Sequence, residues 1–302
     1  MAGIASRKLG WMADPGGLDI SRLCAGEGLA PEVFARTGAA SNVNEWLRDA
    51  KADVLFEATS LNVETGQPAI DHIRAGLEQG AHAVTANKGP IVHAYEQLRD
   101  LAVRKRKRFF FESTVMDGVP IFSLFRDNLP AVQLRAFHGI LNSTTNVILS
   151  GMEEGLSFDR ALGKAQDLGV AETDASYDID GWDATVKVAA LIIVLMGVPI
   201  KLNQIDRQGI RSLRAEAVRA ARAAGTPYKL VCRAMRSAEG VAASVRPERV
   251  PFDDPMSQVN GTSSIISFET DIFPLLTITE NNPGLHATAY GMLADFIRAV
   301  RS

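Results

Sequence analysis

Residues 53–90 read DVLFEATSLNVETGQPAIDHIRAGLEQGAHAVTANKGP, and their pattern indicates the fold class. Residues 53–58 and 82–85 are short, mostly apolar runs of the kind that form buried strands. Between them, residues 68–79 place apolar side chains at helical spacing, and Gly80 follows as a typical helix end. This segment therefore predicts a strand, a crossover helix and a second strand.

The same alternation continues after residue 90. A helical pattern covers residues 91–106, and residues 108–112 form a third apolar run. Strands that alternate with helices at this spacing predict a parallel sheet with crossover helices. Ligands bind such sheets at the carboxyl ends of the strands, which are followed here by Thr59-Ser60, Ala86-Asn87-Lys88 and Ser113-Thr114. These residues are either ordinary turn residues or, taken together, the lining of a ligand crevice.

The second half of the chain groups its strands and helices in blocks, which is typical of an α+β domain with an antiparallel or mixed sheet. We expect the boundary between the two domains near Pro130. The predicted strands are 132–141, 228–235, 240–245, 262–269 and 273–279. The predicted helices are 144–154, 157–168 with Ser157 as its N-cap, 212–224 and 287–300.

Composition excludes several classes of protein. The chain has 302 residues, is 46% hydrophobic and 22% charged, and carries a net charge of −3, which argues against nucleic-acid binding. The longest apolar run, residues 188–198, is shorter than the roughly 20 residues that span a bilayer. The distant Cys24 and Cys232 form neither a disulfide framework nor a zinc motif. With no signal peptide visible at residues 1–17, we expect a cytoplasmic protein without membrane or nucleic-acid partners.

Residues 169–187, GVAETDASYDIDGWDATVK, crowd five carboxylates and one lysine before the apolar run. Asp183 and Lys187 are four residues apart, so on a helix they share one face. Desolvation lowers the pKa of such a lysine and neighbouring anions raise it, and its ammonium group can give a proton to a developing alkoxide. The alternative is a helix cap with a surface ion pair, worth under about 1 kcal/mol. An EF-hand calcium loop does not fit, because no start residue supplies both its glycine and its glutamate.

A dinucleotide-binding sheet normally opens with a strand, a GxGxxG turn and a helix. The chain contains no such motif, since Gly26-Glu27-Gly28 is followed by Leu-Ala-Pro and has no third glycine. We therefore expect either a protein that binds no dinucleotide or a sequence that lacks the first strand, turn and helix.

Several collinear blocks resemble the homoserine dehydrogenase family. GVAETDASYDIDGWDATVK is similar to the family signature, with its acids, glycine, aspartate and lysine at fixed spacing. The other similar blocks are FEATSLNVETGQPA (56–69), TANKGP (85–90), FESTVMDGVPI (111–121), GILNSTTNVILSGMEEG (139–155), PMSQVNGTSSII (255–266) and ATAYGMLADFI (287–297).

The resemblance implies a fold that combines α/β and α+β parts. Residues 1–130 would form an incomplete Rossmann-type dinucleotide-binding domain with a parallel sheet, to which the C-terminal helix 286–302 returns. Residues 131–285 would form a catalytic and dimerisation domain. The implied activity is NAD(P)-dependent interconversion of L-aspartate 4-semialdehyde and L-homoserine, in threonine, methionine and isoleucine biosynthesis. The implied cofactor is NADP or NAD, the substrate is a small amino acid, and the protein would be a homodimer.

The same resemblance assigns site residues. Lys187 would donate the proton, with Asp183 as its substrate-side partner and Lys88 as a second catalytic lysine. The substrate would contact Glu172, which would bind its amino group, and Asp178, Thr144 and Asn142. The cofactor would contact Thr59, Ser60, Lys88 and Gly284. A monovalent cation, Na⁺, would be held largely through backbone carbonyls by Glu112, Val115, Asp117 and Val119.

The sequence departs from the family pattern at several places. The family's V-G-G-G reads Val115-Met116-Asp117-Gly118, and its late G-P-G-A-G element reads Glu280-Asn281-Asn282-Pro283-Gly284. Ala175 replaces a proline, Ser143 replaces a glycine, and the phosphate loop is missing. Basic residues at Ser6-Arg7-Lys8, where the ribose would be bound, favour NADP.

Two other functions stay open at this point. One is a related protein that binds an amino acid and performs no redox chemistry. The other is a structural or regulatory subunit that dimerises through its second domain. Both are compatible with the well-kept acid–lysine segment at residues 169–187 and the poorly kept cofactor motifs.

Overall fold

A computed structural model describes residues 1–6, 10–24 and 40–301, without the side chains of residues 22, 23 and 285. Arg7, Lys8 and the glycine pair at residues 26–28 lie outside the described residues. The chain divides into two compact units, the first formed by Met1–Phe111 with Met292–Ser302 and the second by Glu112–Gly291. The sequence placed these divisions near residues 130 and 286.

The first unit contains the parallel sheet that the sequence predicted. Strands β3 (Val54–Glu57), β4 (His82–Thr85) and β5 (Phe109–Phe110) lie in that order and pair in parallel. Helices α3 (Ala69–Glu78) and α4 (Gly89–Lys105) make the two crossovers. Each strand agrees with an apolar run of the sequence, so local pattern and tertiary pairing are consistent here.

The start of the chain forms a separate hairpin. Strands β1 (Gly3–Ser6) and β2 (Gly10–Ala13) pair antiparallel, and α1 (Ile20–Cys24) and α2 (Val43–Ala50) follow. Trp46 of α2 packs in the core of this unit and donates an Nε1 hydrogen bond of 2.7 Å to the carbonyl of Met12. Among the described residues, β1 pairs with β2 and not with the parallel sheet.

The second unit is built on a six-stranded mixed sheet in the order β11-β10-β6-β8-β9-β7. Adjacent strands pair antiparallel except for β7 and β9, which are parallel. The five strands predicted from the sequence are all present, and the short β7 was not predicted. The strands are β6 (Leu134–Ile140), β7 (Asp206–Arg207), β8 (Tyr228–Ser237), β9 (Gly240–Arg249), β10 (Ser264–Thr270) and β11 (Leu276–Glu280).

Helices complete the second unit, and the last one extends into the first. Ser157 accepts a hydrogen bond from the backbone N–H of Arg160 and caps α6 as predicted. The boundary between the units lies within α10, between Gly291 and Met292. The helices are α5 (Ser143–Glu153), α6 (Phe158–Asp167), α7 (Ser176–Ile179), α8 (Trp182–Leu191), α9 (Ala215–Ala223) and α10 (Leu285–Arg301).

The apolar run at residues 188–198 is the buried part of α8 and its continuation. Val188, Leu191 and Ile192 are fully buried, and the helix continues as a wider turn over Ile192–Met196. None of the described helices is long and apolar enough to cross a membrane. The run therefore anchors α8 in the core, with the more polar start of the helix, including Asp183 and Lys187, beside it.

Candidate active site

Lys187 and Asp183 form an ion pair at the start of α8. The Nζ atom of Lys187 lies 3.0 Å from Oδ2 of Asp183 and also donates a 2.6 Å hydrogen bond to the carbonyl of Leu141, just after β6. The side chains of the lysine and the aspartate are only 17% and 13% exposed. This pair is buried, so it is not the exposed surface pair of the alternative interpretation.

A sharp turn brings two acids of this segment, Asp178 and Asp183, close together. Gly181 has φ +82°, a left-handed conformation that favours glycine, and it separates α7 from α8. Asp183 then lies in the first turn of α8, where the helix dipole favours a negative charge. Asp178 of α7 is brought near Asp183, and the two carboxylates share a hydrogen-bond donor.

That shared donor is Asn142, the N-cap of α5. Its Nδ2 donates to Oδ1 of Asp178 at 2.7 Å and to Oδ2 of Asp183 at 3.0 Å, and its Oδ1 accepts from the N–H of Thr145 at 2.8 Å. Thr144 donates its hydroxyl to Oδ2 of Asp178 at 2.9 Å. The structure thus brings together five predicted site residues, namely Asn142, Thr144, Asp178, Asp183 and Lys187.

The charges of this cluster favour an ammonium ion at Lys187. Burial lowers the pKa of Lys187, but Asp183, together with Asp117 and Asp178, outweighs burial, so the pKa lies above its ordinary value. Burial and the charge of Asp183 raise the pKa of Asp178, against the hydrogen bonds from Asn142 and Thr144. Lys187 is therefore protonated at neutral pH and can donate a proton.

The other three acids of the segment lie apart from this cluster. Glu172 is exposed in the loop before α7, and its backbone carbonyl accepts from Nε2 of Gln166 at 3.2 Å. Asp174 accepts from the backbone N–H of Ser176 at 3.0 Å, and Asp180 pairs with Arg211 at 2.9 Å. Binding of a substrate amine by Glu172 stays a prediction.

The predicted cofactor contacts Thr59, Ser60 and Lys88 lie in the first unit, after β3 and β4. Thr59 and Ser60 are exposed, and Lys88 immediately precedes α4. Asn87 donates from Nδ2 to the carbonyl of Thr59 at 2.9 Å and ties the two strand ends together. Gly284 lies in the second unit before α10, where its carbonyl accepts from the N–H of Ala287 at 2.9 Å.

Glu57 supports these strand ends, and sequence reasoning missed it. It is 2% exposed and accepts hydrogen bonds from the N–H of Thr59 at 3.0 Å, from the Thr59 hydroxyl, and from the Thr85 hydroxyl at 3.1 Å. Burial raises the pKa of Glu57, but the hydrogen bonds from His72, Thr59 and Thr85 lower it below its ordinary value. An acid at the end of a buried strand was the available signal.

The predicted cation segment begins after β5. The carboxylate of Glu112 accepts from the backbone N–H groups of Phe122 at 2.6 Å and Ser123 at 2.9 Å. Asp117 has φ +46°, a left-handed conformation, and accepts a 2.6 Å hydrogen bond from the hydroxyl of Thr288. A Cβ on the next residue, Gly118, would lie 2.3 Å from the carbonyl oxygen of Ala287, so the loop packs directly on α10.

Glu280 is a further acid near Lys187 that the sequence showed only as a departure from the family pattern. It ends β11, opposite Ser264 of β10, and accepts a 3.3 Å hydrogen bond from the Ser264 hydroxyl. Burial and the charge of Asp117 raise the pKa of Glu280 to about 7, while Ser264 and Lys187 act in the opposite direction. Sequence spacing gave no signal for this contact.

Comparison with known proteins agrees with this geometry. The family model described as homoserine dehydrogenase matches residues 120–297, which include the whole Lys187 cluster. The chain belongs to the homoserine dehydrogenase family. The NAD(+)-dependent homoserine dehydrogenase of Pseudomonas canavaninivorans is 33% identical over 306 residues, covering 100% of this chain and 87% of the relative. The homoserine dehydrogenase of Methanocaldococcus jannaschii is 34% identical over 299 residues, covering 96% of this chain and 85% of the relative.

Solved homoserine dehydrogenases share the fold. A putative homoserine dehydrogenase from Archaeoglobus fulgidus superposes with a TM-score of 0.83 at 30% identity, covering 98% of this chain and 88% of that one. A hyperthermophilic archaeal homoserine dehydrogenase in complex with NADPH gives a TM-score of 0.82 at 27% identity, covering 99% and 87% of the two chains. The predicted fold class, a parallel-sheet domain with a mixed-sheet catalytic domain, is confirmed.

Proposed function

We propose that this homoserine dehydrogenase family member interconverts L-aspartate 4-semialdehyde and L-homoserine with NAD(P). The observation that carries the proposal is the buried pair of Lys187 and Asp183. An oxidoreductase acting on an aldehyde needs a proton donor where the carbonyl oxygen becomes an alkoxide. The raised pKa of Lys187 makes its ammonium group a suitable donor at neutral pH.

The proposed reaction divides the work between cofactor and protein. Bound NAD(P)H supplies a hydride to the aldehyde carbon, and bound NAD(P)⁺ accepts one in the reverse direction. Lys187 gives its proton to the carbonyl oxygen as the alcohol forms, or takes the hydroxyl proton during oxidation. Asp183 and the Leu141 carbonyl hold the lysine in place, while Asn142 fixes Asp183. Lys88 is proposed as the second catalytic lysine, and Asp178 and Thr144 as substrate-side residues.

The strand ends of the first unit support the assignment of a dinucleotide cofactor. Exposed Thr59 and Ser60 stand at the carboxyl end of β3, and the buried Glu57 holds Thr59 and Thr85 in place. Parallel sheets bind nucleotides at this edge. We propose that Thr59, Ser60 and Lys88 contact the cofactor, and that Gly284 of the second unit does so as well.

We also propose a monovalent cation, Na⁺, held by the backbone carbonyls of Glu112, Val115, Asp117 and Val119. The carboxylate of Glu112 accepts hydrogen bonds from two backbone N–H groups, which favours coordination of the ion through backbone carbonyls. In the part of the chain that the structure describes, no group of three or more His, Cys, Asp or Glu side chains is placed to hold a metal. Melting temperature measured in Na⁺ and in choline tests the proposal, which expects a higher value in Na⁺.

We propose a homodimer that associates through the second unit, because large apolar side chains are exposed there. Leu275 is 56% exposed beside β11, the edge strand of the six-stranded sheet, and Ile272 and Phe273 next to it are also exposed. Large exposed apolar side chains at a sheet edge favour association. Light scattering of the purified protein should give the mass of a dimer, and Leu275→Glu should shift it toward the monomer.

The enzymatic proposal is tested by turnover of L-homoserine with NAD⁺ and with NADP⁺, measured by absorbance of the reduced cofactor. The expected result is oxidation by the native chain and none by Lys187→Ala. Calorimetry with L-homoserine and with each cofactor separates the alternatives. Binding of L-homoserine without cofactor binding or turnover would identify an amino-acid-binding protein without redox function.

A further inference from the structure

The turn that joins α7 to α8 packs against residues 206–211. This turn, residues 179–182, lies in the sequence directly between Asp178 and Asp183, the two carboxylates that share a hydrogen-bond donor. The segment 206–211 begins with β7, which pairs in parallel with β9. One further backbone hydrogen bond of 2.8 Å to β9 follows the strand. The segment is therefore anchored to the six-stranded sheet where it meets the turn.

Gly209 and Ile210 contact the first half of the turn through the backbone. The N–H of Ile210 donates to the carbonyl of Ile179 at 2.9 Å. A Cβ on Gly209 would lie 2.3 Å from that carbonyl oxygen and 2.5 Å from Cα of Asp180, so the two stretches approach as closely as only glycine allows. Ile210 is fully buried, which fixes this contact in the core.

Arg207 contacts the second half of the turn with its side chain. Its Nη1 donates to the carbonyl of Asp180, and its guanidinium group lies over the ring of Trp182, with Cζ 3.7 Å from the ring centre. A guanidinium group can do both at once, because it donates in its plane and stacks through its face. Trp182 directly precedes Asp183, so the contact with Arg207 reaches the start of the helix that carries the ion pair.

Arg211 also contacts this turn, but only through a side chain. It pairs with the carboxylate of Asp180 at 2.9 Å and 3.2 Å, and its side chain is 59% exposed. Exposed ion pairs contribute little to stability. Arg207 is partly buried and donates to a backbone carbonyl, so Arg207 rather than Arg211 can fix the path of the chain.

The path of this turn determines how Asp178 and Asp183 lie relative to each other. The amide group of Asn142 donates to both carboxylates, at 2.7 Å and 3.0 Å, which requires that they stay close. Lys187 follows Asp183 by one turn of the same helix and lies 3.0 Å from it. A displaced turn would move Asp183 and Lys187 together, away from Asn142. Small displacements of positioned groups have large effects on rate.

We propose that Arg207 is a positioning residue for the reaction, which fixes the turn at residues 179–182 and thereby holds Asp183 and Lys187 where the substrate oxygen gains or loses its proton. The inference deepens the proposed function and rests on it. It assigns a role to the short strand β7, which presents Arg207 to the turn. Loss of Arg207 should therefore slow the reaction in a protein that stays folded.

Arg207→Met tests this role, because it removes the guanidinium group and keeps an unbranched side chain beside Trp182. We expect kcat for L-homoserine oxidation to fall by at least about ten-fold, as a misplaced catalytic group predicts. KM for the cofactor should stay within about two-fold of native, since the predicted cofactor contacts belong to other segments. Arg207→Lys keeps a cation that can donate to the Asp180 carbonyl, and it should recover part of kcat.

Arg236→Met is the matched control. Arg236 lies on β8 and donates to the carbonyls of Leu134 at 2.8 Å and Met196 at 2.6 Å, so it also holds backbone within the second unit. Its removal should lower the melting temperature and leave kcat native. The inference is overturned if Arg207→Met likewise lowers the melting temperature and keeps native kcat, because Arg207 would then have a structural role alone.

Gly209→Ala disturbs the same turn without changing any charge. The added Cβ would lie 2.3 Å from the carbonyl oxygen of Ile179, so the backbone must shift, and kcat should fall. Gly163→Ala on α6 is its control, since a Cβ there meets no atom within 4 Å, and it should keep native kcat. A folded Gly209→Ala protein with native kcat would contradict control of the ion pair by this turn.

Hydrogen exchange separates this inference from the proposed function, because it needs no turnover. Peptides that cover residues 176–187 should exchange faster in Arg207→Met than in the native chain, and at the native rate in Arg236→Met. This pattern, in a native chain that does not oxidise L-homoserine, would contradict the enzymatic proposal alone. Unchanged exchange in Arg207→Met would overturn the role of Arg207 whether or not the chain is an enzyme.

Discussion

The side chains of Lys187 and Asp183 are 3.0 Å apart on α8, where Asp183 comes one helical turn before Lys187, and both are largely buried. Burial decides what such a pair can do. An exposed pair at this spacing contributes only a few tenths of a kcal/mol, about 0.3–0.5. A buried ammonium ion beside apolar side chains is costly to maintain, so its presence at the start of α8 indicates chemistry rather than stability.

Lys187→Ala should therefore abolish turnover while the protein stays folded. We expect kcat to fall by at least about 100-fold, the usual contribution of a positioned proton donor. Cofactor affinity should stay near the native value, since Lys187 lies among the predicted catalytic and substrate-binding residues and is not a predicted cofactor contact. Steady-state kinetics, cofactor titration by fluorescence and circular dichroism check the three parts.

Lys164→Ala is the matched control for that experiment. Lys164 pairs with Glu154 at 3.1 Å, but the two side chains are 48% and 65% exposed. Its removal should leave both kcat and melting temperature close to native. If Lys187→Ala unfolds the protein instead of inactivating a folded one, the pair has a structural role.

Asn142→Ala should reduce both stability and activity. Asn142 caps α5 through the N–H of Thr145 and bridges Asp178 and Asp183 with its amide group. Loss of an N-cap costs about 1 kcal/mol, and the two buried carboxylates lose a donor at a further cost of about 1–3 kcal/mol. Urea unfolding should show a loss larger than that of the cap alone.

Ser157→Ala supplies the comparison, because Ser157 caps α6 without touching the Lys187 cluster. It should cost about 1 kcal/mol and leave kcat unchanged. Equal losses of stability in the two variants, with native kcat in both, would mean that Asn142 acts as a cap only.

Glu57→Gln should weaken cofactor binding and leave substrate binding intact. The carboxylate of Glu57 accepts hydrogen bonds from Thr59 and Thr85 at the two strand ends. Gln retains one acceptor oxygen and brings an NH₂ group against donors, so Thr59 should lose its fixed position. Titration with NADP⁺ and NAD⁺ should show a several-fold higher Kd, whereas calorimetry with L-homoserine should be unaffected.

The same substitution has a pH signature. The pKa of Glu57 is lowered in the folded protein, so the ionised side chain stabilises the fold above its ordinary pKa, and this contribution is lost as pH falls through the folded value. Native protein and Glu57→Gln should thus differ in melting temperature at pH 7 and converge toward acidic pH. A constant difference between them at every pH would contradict this.

Local patterns predicted the elements of this fold well. Apolar runs gave β3, β4 and β5, helical spacing gave α3 and α4, and Ser157 marked the start of α6. The signal for these features lies in a few consecutive residues, whose apolar spacing or capping side chain marks the element. The two-residue strand β7 was missed because two residues carry no periodicity.

The candidate active site was only partly predictable, because many of its contacts join residues that are far apart in the sequence. The i, i+4 spacing showed Lys187 with Asp183, but Asn142 reaches Asp178 and Asp183 across 36 and 41 residues. Glu280 meets Ser264 through strand register, which the sequence does not reveal. Such contacts are set by how helices pack and how strands pair, so residue types alone could not identify them.

Lys229 allows a test of how a buried charge affects stability at a position away from Lys187 and its partners. It is fully buried on β8 and donates hydrogen bonds to the carbonyl of Val259 at 2.6 Å, to Oδ1 of Asn260 at 3.0 Å and to Oδ1 of Asn146 at 3.3 Å. Burial lowers its pKa to about 8, partly opposed by Glu153. Between pH 8 and the ordinary value of 10.5 the unfolded chain binds more protons at this lysine than the folded one.

As pH rises from 8 to 10.5, Lys229 should therefore increase the free energy of unfolding of the native protein by at most about 3 kcal/mol. Lys229→Met removes the titrating group, so the native protein should become more stable relative to this variant over that range. Urea unfolding at a series of pH values measures the difference, and Lys201→Met, at an exposed lysine, should show no comparable trend. Parallel curves for native protein and Lys229→Met would mean that Lys229 titrates alike in the folded and unfolded chains.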